Sequence, residues 1–154
     1  MIVSQTAKLY KKSENSNLIS LNNTGLGAGN IVPHWWYRGV VAGGGKPDFV
    51  GIVILSELCF LYRKRGSVEA AESYAYYQSK FNLTKIQLQD ATLRLHNSGI
   101  VERSFRTVVI NGRKFPNELH LKINLAKLAE LKKRYDNRVE SPFTETPSHT
   151  TVQA

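Results

Sequence analysis

Four histidines and one cysteine are the residues of this chain best equipped for metal or covalent chemistry, and their spacing favours neither. His34, His96, His120 and His149 are scattered without metal-ligand intervals, and no carboxylate pair or nucleophile motif accompanies them. His96 could touch a nucleic acid but reads better as a surface residue, and the chain is expected to need no metal or cofactor and to catalyse nothing. Cys59 lies in an apolar run with no second cysteine to bridge it, so it reads as a buried, inert thiol in a reducing compartment. Two glycine clusters invite a phosphate-loop reading. Gly25 to Asn30, however, follows no strand and opens no helix. Gly43-Gly44-Gly45-Lys46 is followed by Pro47 and Asp48 where a phosphate-binding loop needs Ser or Thr, so it reads as a hinge between helices. What remains is recognition chemistry, in which amides and cations hydrogen-bond to an anionic partner.

The charge balance points the same way. Against 12 acidic residues the chain sets 21 Lys and Arg, a formal charge of +9, which favours a polyanion. Eight residues are placed to meet one. Lys85, Gln87, Gln89 and Arg94 fall outside the apolar stripe of a predicted helix, where their donors and acceptors suit base edges or phosphates. Arg103 and Arg106 stand on a predicted strand, and Arg113 and Lys114 follow its turn, the positions of expected phosphate contacts.

The elements that must hold these residues are legible from periodicity and caps. Residues 1–30, rich in Ser, Asn, Lys and Gly, show no period and read as a flexible arm. A short helical segment started by Pro33 carries Trp35 and Trp36. Asp48 caps a helix from Phe49 to about Arg63, apolar on nearly all sides and therefore central to the core, with Gly66 as its stop. The span from Val68 to Glu72 suits either a helix or a short strand. Ser73 caps a helix to Phe81, Asn82 makes a tight turn, and Thr84 caps a third helix to about Ser98 with Gly99 left-handed. On that helix Leu88, Ala91, Thr92 and Leu95 share the core-facing side. Ile100 to Ile110 reads as a strand, Asn111-Gly112 as a hairpin turn, and Leu119, Leu121 and Ile123 as the buried side of the return strand. Pro116 implies an edge or a bulge. Asn124 caps a last helix to about Tyr135, and the Ser, Thr and Pro content of 136–154 reads as a disordered tail.

In its order and wording the span SYAYYQSKFNLTKIQLQDATLRLHNSGIVERSF resembles the winged helix-turn-helix family: a short helix, a turn, a recognition helix ending in Leu95, Gly99 and Ile100, then a first wing strand. The narrower likeness is to winged domains of bacterial plasmid or phage replication initiators and small regulators. The resemblance implies an α+β fold, mainly helical, with a winged helix-turn-helix over 31–135, a two-stranded wing and a C-terminal helix. It also implies double-stranded DNA as partner, with a role in transcription regulation or in replication of a mobile element. No small-molecule ligand is evident.

Ile86 and Leu93 stand against this reading. Seven residues apart, they coincide on the side of the recognition helix away from the core, where a groove-facing surface is normally polar. The alternative is a winged domain that has lost DNA binding and docks a protein through Ile86, Leu93, Trp35 and Trp36, although the two tryptophans fit the core better. A homodimer would lengthen the site read, with the last helix or the Trp35-Trp36 segment as interface. The N-terminus lacks a signal-peptide core, and the longest apolar stretch, Phe49 to Tyr62, is interrupted by Glu57 and shorter than the roughly 20 residues a span needs, so the chain is expected to be soluble and cytoplasmic.

Overall fold

The structure is a computed structural model that describes residues 29–139. The chain divides between Ile31 and Val32, and every element below belongs to the second unit. The arm expected over 1–30 and the tail beyond 139, with His149, lie outside the described residues, Gly29 and Asn30 excepted.

The architecture is α+β and mostly helical, with five helices and a three-stranded antiparallel sheet among the described residues. Helix α1 (Trp36–Gly39) is shorter than the segment expected from Pro33, whose carbonyl accepts the Trp36 N–H at 3.0 Å. Gly39 permits a close approach here, since a Cβ would lie 3.3 Å from the Trp35 ring. The Gly43–Gly45 segment is a single 3-10 turn in which Gly44 and Gly45 both have positive φ.

Helix α2 (Phe49–Arg65) is the centre of the core, burying Ile52, Ile54, Leu55, Leu58 and Leu61. The Asp48 side chain accepts the Gly51 N–H at 3.0 Å, and Gly66 ends the helix with φ 73°. One charge lies inside this apolar helix. Glu57 is 0% exposed, and its Oε1 accepts from the Tyr76 hydroxyl at 2.5 Å and from Lys80 Nζ at 2.7 Å. A buried carboxylate is tolerated only with such partners, and this one ties α2 to the following helix.

That helix, α3 (Tyr74–Phe81), is capped by Ser73 and stops at Asn82, which adopts the left-handed geometry expected of it, φ 53°. Helix α4 (Lys85–Asn97) begins with a capping box between Thr84 and Gln87, and Leu88, Ala91, Thr92 and Leu95 are all buried as its period predicts.

The ambiguous segment after Gly66 supplies a strand, β1 (Glu69–Ala70), which pairs with the far end of β3 (Arg113–Ile123). Sheet order is β1-β3-β2, with β2 spanning Val101–Ile110. Asn111 and Gly112, both at positive φ, join β2 to β3. Arg106 faces Glu118 and Val108 faces Phe115, so one residue of β2 opposes two of β3, Pro116 and Asn117. This is the bulge that Pro116 implied. Asn124 accepts the Lys127 N–H at 3.1 Å and starts α5 (Leu125–Val139). This helix passes the expected limit of Tyr135, aided by the Lys132–Asp136 pair at i,i+4.

Candidate functional site

Helix α4 and the β2-β3 hairpin carry all eight polar residues singled out in the sequence, but the structure divides them. At about 100° per residue, Lys85, Gln89 and His96 lie on one flank of α4 and Gln87 and Arg94 on the other. The first flank borders the sheet, because His96 Nδ1 accepts the backbone N–H of Arg103 at 3.2 Å. The second borders α2. Arg94 reaches back 46 residues to Asp48, with Nε on Oδ2 at 2.8 Å and Nη2 on Oδ1 at 2.9 Å. Asp48 is buried, and burial alone would push its carboxyl up. The Arg94 hydrogen bonds, the Gly51 N–H and the Arg94 charge outweigh that and hold it below its ordinary value. Arg94 is thus a clamp between α2 and α4. Gln87 is engaged as well, since its Oε1 accepts from Thr84 N at 2.9 Å and from the Thr84 hydroxyl at 3.2 Å.

The hairpin divides by strand alternation. Arg103 and Arg106, three residues apart, must point to opposite faces of the sheet. Arg103 lies on the inner face, where its Nη2 donates to the Tyr74 hydroxyl of α3 at 2.9 Å and its guanidinium stands 4.8 Å from the centroid of the Phe105 ring. Arg106 lies on the outer face with Glu69 of β1, paired at 2.6 Å. The Glu69 carboxyl also sits 3.0 Å from His120 Nδ1, and that contact, joined by the Arg106 charge against a smaller effect of burial, keeps it below its ordinary value. Arg106 is therefore neutralised locally. At the tip, Lys114 faces Val109 across the ladder and shares the inner face, whereas Arg113 faces Ile110 on the outer one. Both cations are exposed.

Lys85, Gln89, Arg103 and Lys114 are thereby brought to one side of the molecule. Between α3 and the hairpin runs a groove of about 250 Å³, lined by Tyr74 and Gln78 of α3, Asn117 and Leu119 of β3, and Lys85 of α4. Asn117 had not been singled out. Its positive φ of 59° at the bulge is the trace of its position, and Pro116 beside it is the signal that could have found it.

Ile86 and Leu93 form the crest between the two flanks of α4, 69% and 43% exposed. The tryptophans do not join them. Trp36 is 4% exposed, and Trp35 is half-buried against the core, its ring edge-on to Trp36 at 6.2 Å. Both tryptophans pack with the core, the reading their apolar neighbours favoured. Cys59 is half-buried, and burial raises its thiol against the opposing charge of Arg63, which makes it a poor nucleophile at neutral pH. Among the described residues no group of three or more His, Cys, Asp or Glu could hold a metal ion, and no helix is long and apolar enough to cross a membrane.

Comparison of the chain with known protein families, curated protein sequences and solved structures finds no match.

Proposed function

We propose that this chain binds double-stranded DNA through a winged helix-turn-helix, without catalysis, as a transcriptional regulator or a replication factor of a bacterial mobile element. The order α2, β1, α3, α4, β2, β3 supports the fold reading, with α4 as recognition helix and the β2-β3 hairpin as wing. One observation carries the functional reading: the flank of α4 that exposes Lys85 and bears Gln89 borders the hairpin, whose inner face adds Arg103 and Lys114. A helix edge of this composition suits the major groove, and cations on an adjoining hairpin suit the flanking phosphates.

Duplex binding followed by fluorescence anisotropy at several salt concentrations tests it. Replacing Lys114 with Ala weakens binding to every duplex and lowers the salt slope by about 0.9, the value for one phosphate contact. Gln89→Ala shifts sequence preference. Arg106→Ala, which removes a cation already paired with Glu69, leaves the slope as it is. A wild-type protein with no salt-dependent duplex binding would sink the proposal. It would favour the second reading, a protein-docking module, which rests on the exposed Ile86 and Leu93 crest.

A further inference from the structure

The hairpin has a second property, independent of DNA. Among the described residues no strand pairs with the outer edge of β2, although β2 is ten residues long. Which of its backbone groups face that edge follows from two hydrogen bonds. The Arg103 N–H points away from β3, to His96, and on the other side of the ladder the Ile123 N–H points away from β2, to the Val68 carbonyl at 2.9 Å. In an antiparallel strand the N–H and C=O of one residue point the same way and alternate along the chain. Phe105, Thr107 and Val109 therefore aim their backbone groups outward. At Arg103 His96 covers the edge; beyond it nothing in the sheet does.

Such edges are normally blunted by lysine, proline or inward-pointing charge. From Thr107 to Ile110 β2 carries none of these, and all four residues are β-branched. Phe105, Val109 and Ile110 are 45%, 60% and 54% exposed. Arg106, the charge beside this stretch, is paired with Glu69 on the outer face.

We infer that this edge pairs antiparallel with the same edge of a second copy of the chain, about a two-fold axis at Thr107. An open edge needs an extended backbone to complete its ladder, and a second copy is complementary here in three respects. Centred on Thr107, the outward-facing residues oppose outward-facing residues: Thr107 meets Thr107, and Phe105 meets Val109 in both directions, each pair exchanging two backbone hydrogen bonds. Phe105 and Val109 share a sheet face, so the register also makes two aromatic to β-branched cross-strand pairs. Finally, the same register sets Arg103, whose N–H His96 already occupies, opposite Asn111, where the partner's strand has turned. The pairing thus ends where both edges end. Arg106 comes opposite Val108, not opposite its own copy, so no like charges meet head-on. The dimer closes on itself because the two-fold axis pairs the same edge of both copies.

Sedimentation equilibrium of the full chain without DNA tests this. The wild type is expected to be a concentration-dependent dimer. Thr107→Pro removes an outward N–H and spares the bonds to β3, and Val109→Lys places a charge in the pairing; each raises the dissociation constant at least roughly tenfold, or 1.4 kcal/mol. Ile86→Lys and Leu125→Lys, on α4 and α5, leave it unchanged. Amide exchange at Phe105, Thr107 and Val109 slows as the wild-type concentration rises. A monomer at all concentrations, an open series of larger assemblies, or a dimer indifferent to both edge variants but lost on Ile86→Lys or Leu125→Lys would each overturn the inference. None of these outcomes bears on duplex binding, which is read separately by anisotropy.

Discussion

The two halves of the β2-β3 hairpin are built from the same strands and live in different surroundings. Below the bulge, Val101, Leu119, Leu121 and Ile123 are 3% exposed or less, roofed by the helices and flanked by β1. Above it, every residue from Val109 to Asn117 is exposed. Folding free energy comes from the first half, because burial is what stabilises an apolar side chain. The second half contributes little to folding and is correspondingly available for contact with other molecules.

The sharpest way to break that comparison is to truncate one apolar side chain in each half. Leu121→Ala, at a fully buried position, is expected to cost about 3 kcal/mol in urea unfolding, whereas Val109→Ala costs less than about 0.5 kcal/mol. Equal losses would mean that the tip is part of the folded core.

A smaller effect is expected at the junction of α2 and α4. Arg94→Ala strands the buried Asp48 carboxylate and costs about 2 kcal/mol at neutral pH, below the range for fully buried pairs because Arg94 itself is partly exposed. The pH dependence has a definite sign. The carboxyl of Asp48 is held below its ordinary 3.8 in the folded protein, so the clamp stabilises above that value and is lost as the pH falls through the folded one. Unfolding followed from neutral to acid pH should therefore show a shallower acid limb in Arg94→Ala than in the wild type. An unchanged limb would remove Arg94 as the cause.

The smallest effect has the opposite sign. Tyr77 is 1% exposed and its hydroxyl has no hydrogen-bond partner among the described residues. Tyr77→Phe should raise stability by up to about 1 kcal/mol, read as a higher denaturation midpoint at unchanged slope.

These effects also mark what could be read without coordinates. Local signals sufficed for the elements: Asp48, Ser73, Thr84 and Asn124 cap the helices expected of them, Asn82 and Gly99 take left-handed geometry, and Asn111-Gly112 closes the hairpin. The α4 core stripe was legible for the same reason, since a period of 3.6 needs only the neighbouring residues. Strand β1 was ambiguous because two residues carry no period. The candidate site was read less well, because outward-pointing was equated with available. Arg94 and Arg106 find Asp48 and Glu69 at separations of 46 and 37 residues, and no local pattern announces such partners. Gln87 is the exception, as the Thr84-x-x-Gln87 spacing is itself the mark of a capping box. Glu57, alone in an apolar run, was a visible demand for partners, though the sequence did not name Tyr76 and Lys80.

The bulge at Pro116 and Asn117 has a mechanical consequence. The two-residue turn dictates one alignment of the strands, and the buried side chains of β3 dictate another, offset by a single position. The extra residue acts as a dislocation between two lattices out of phase by one step. Each lattice can change without disturbing the other, so the projecting tip can lengthen or vary in sequence while the base keeps its alignment. The hairpin is in that sense a graft point, rigid where it is rooted and permissive beyond the fault line.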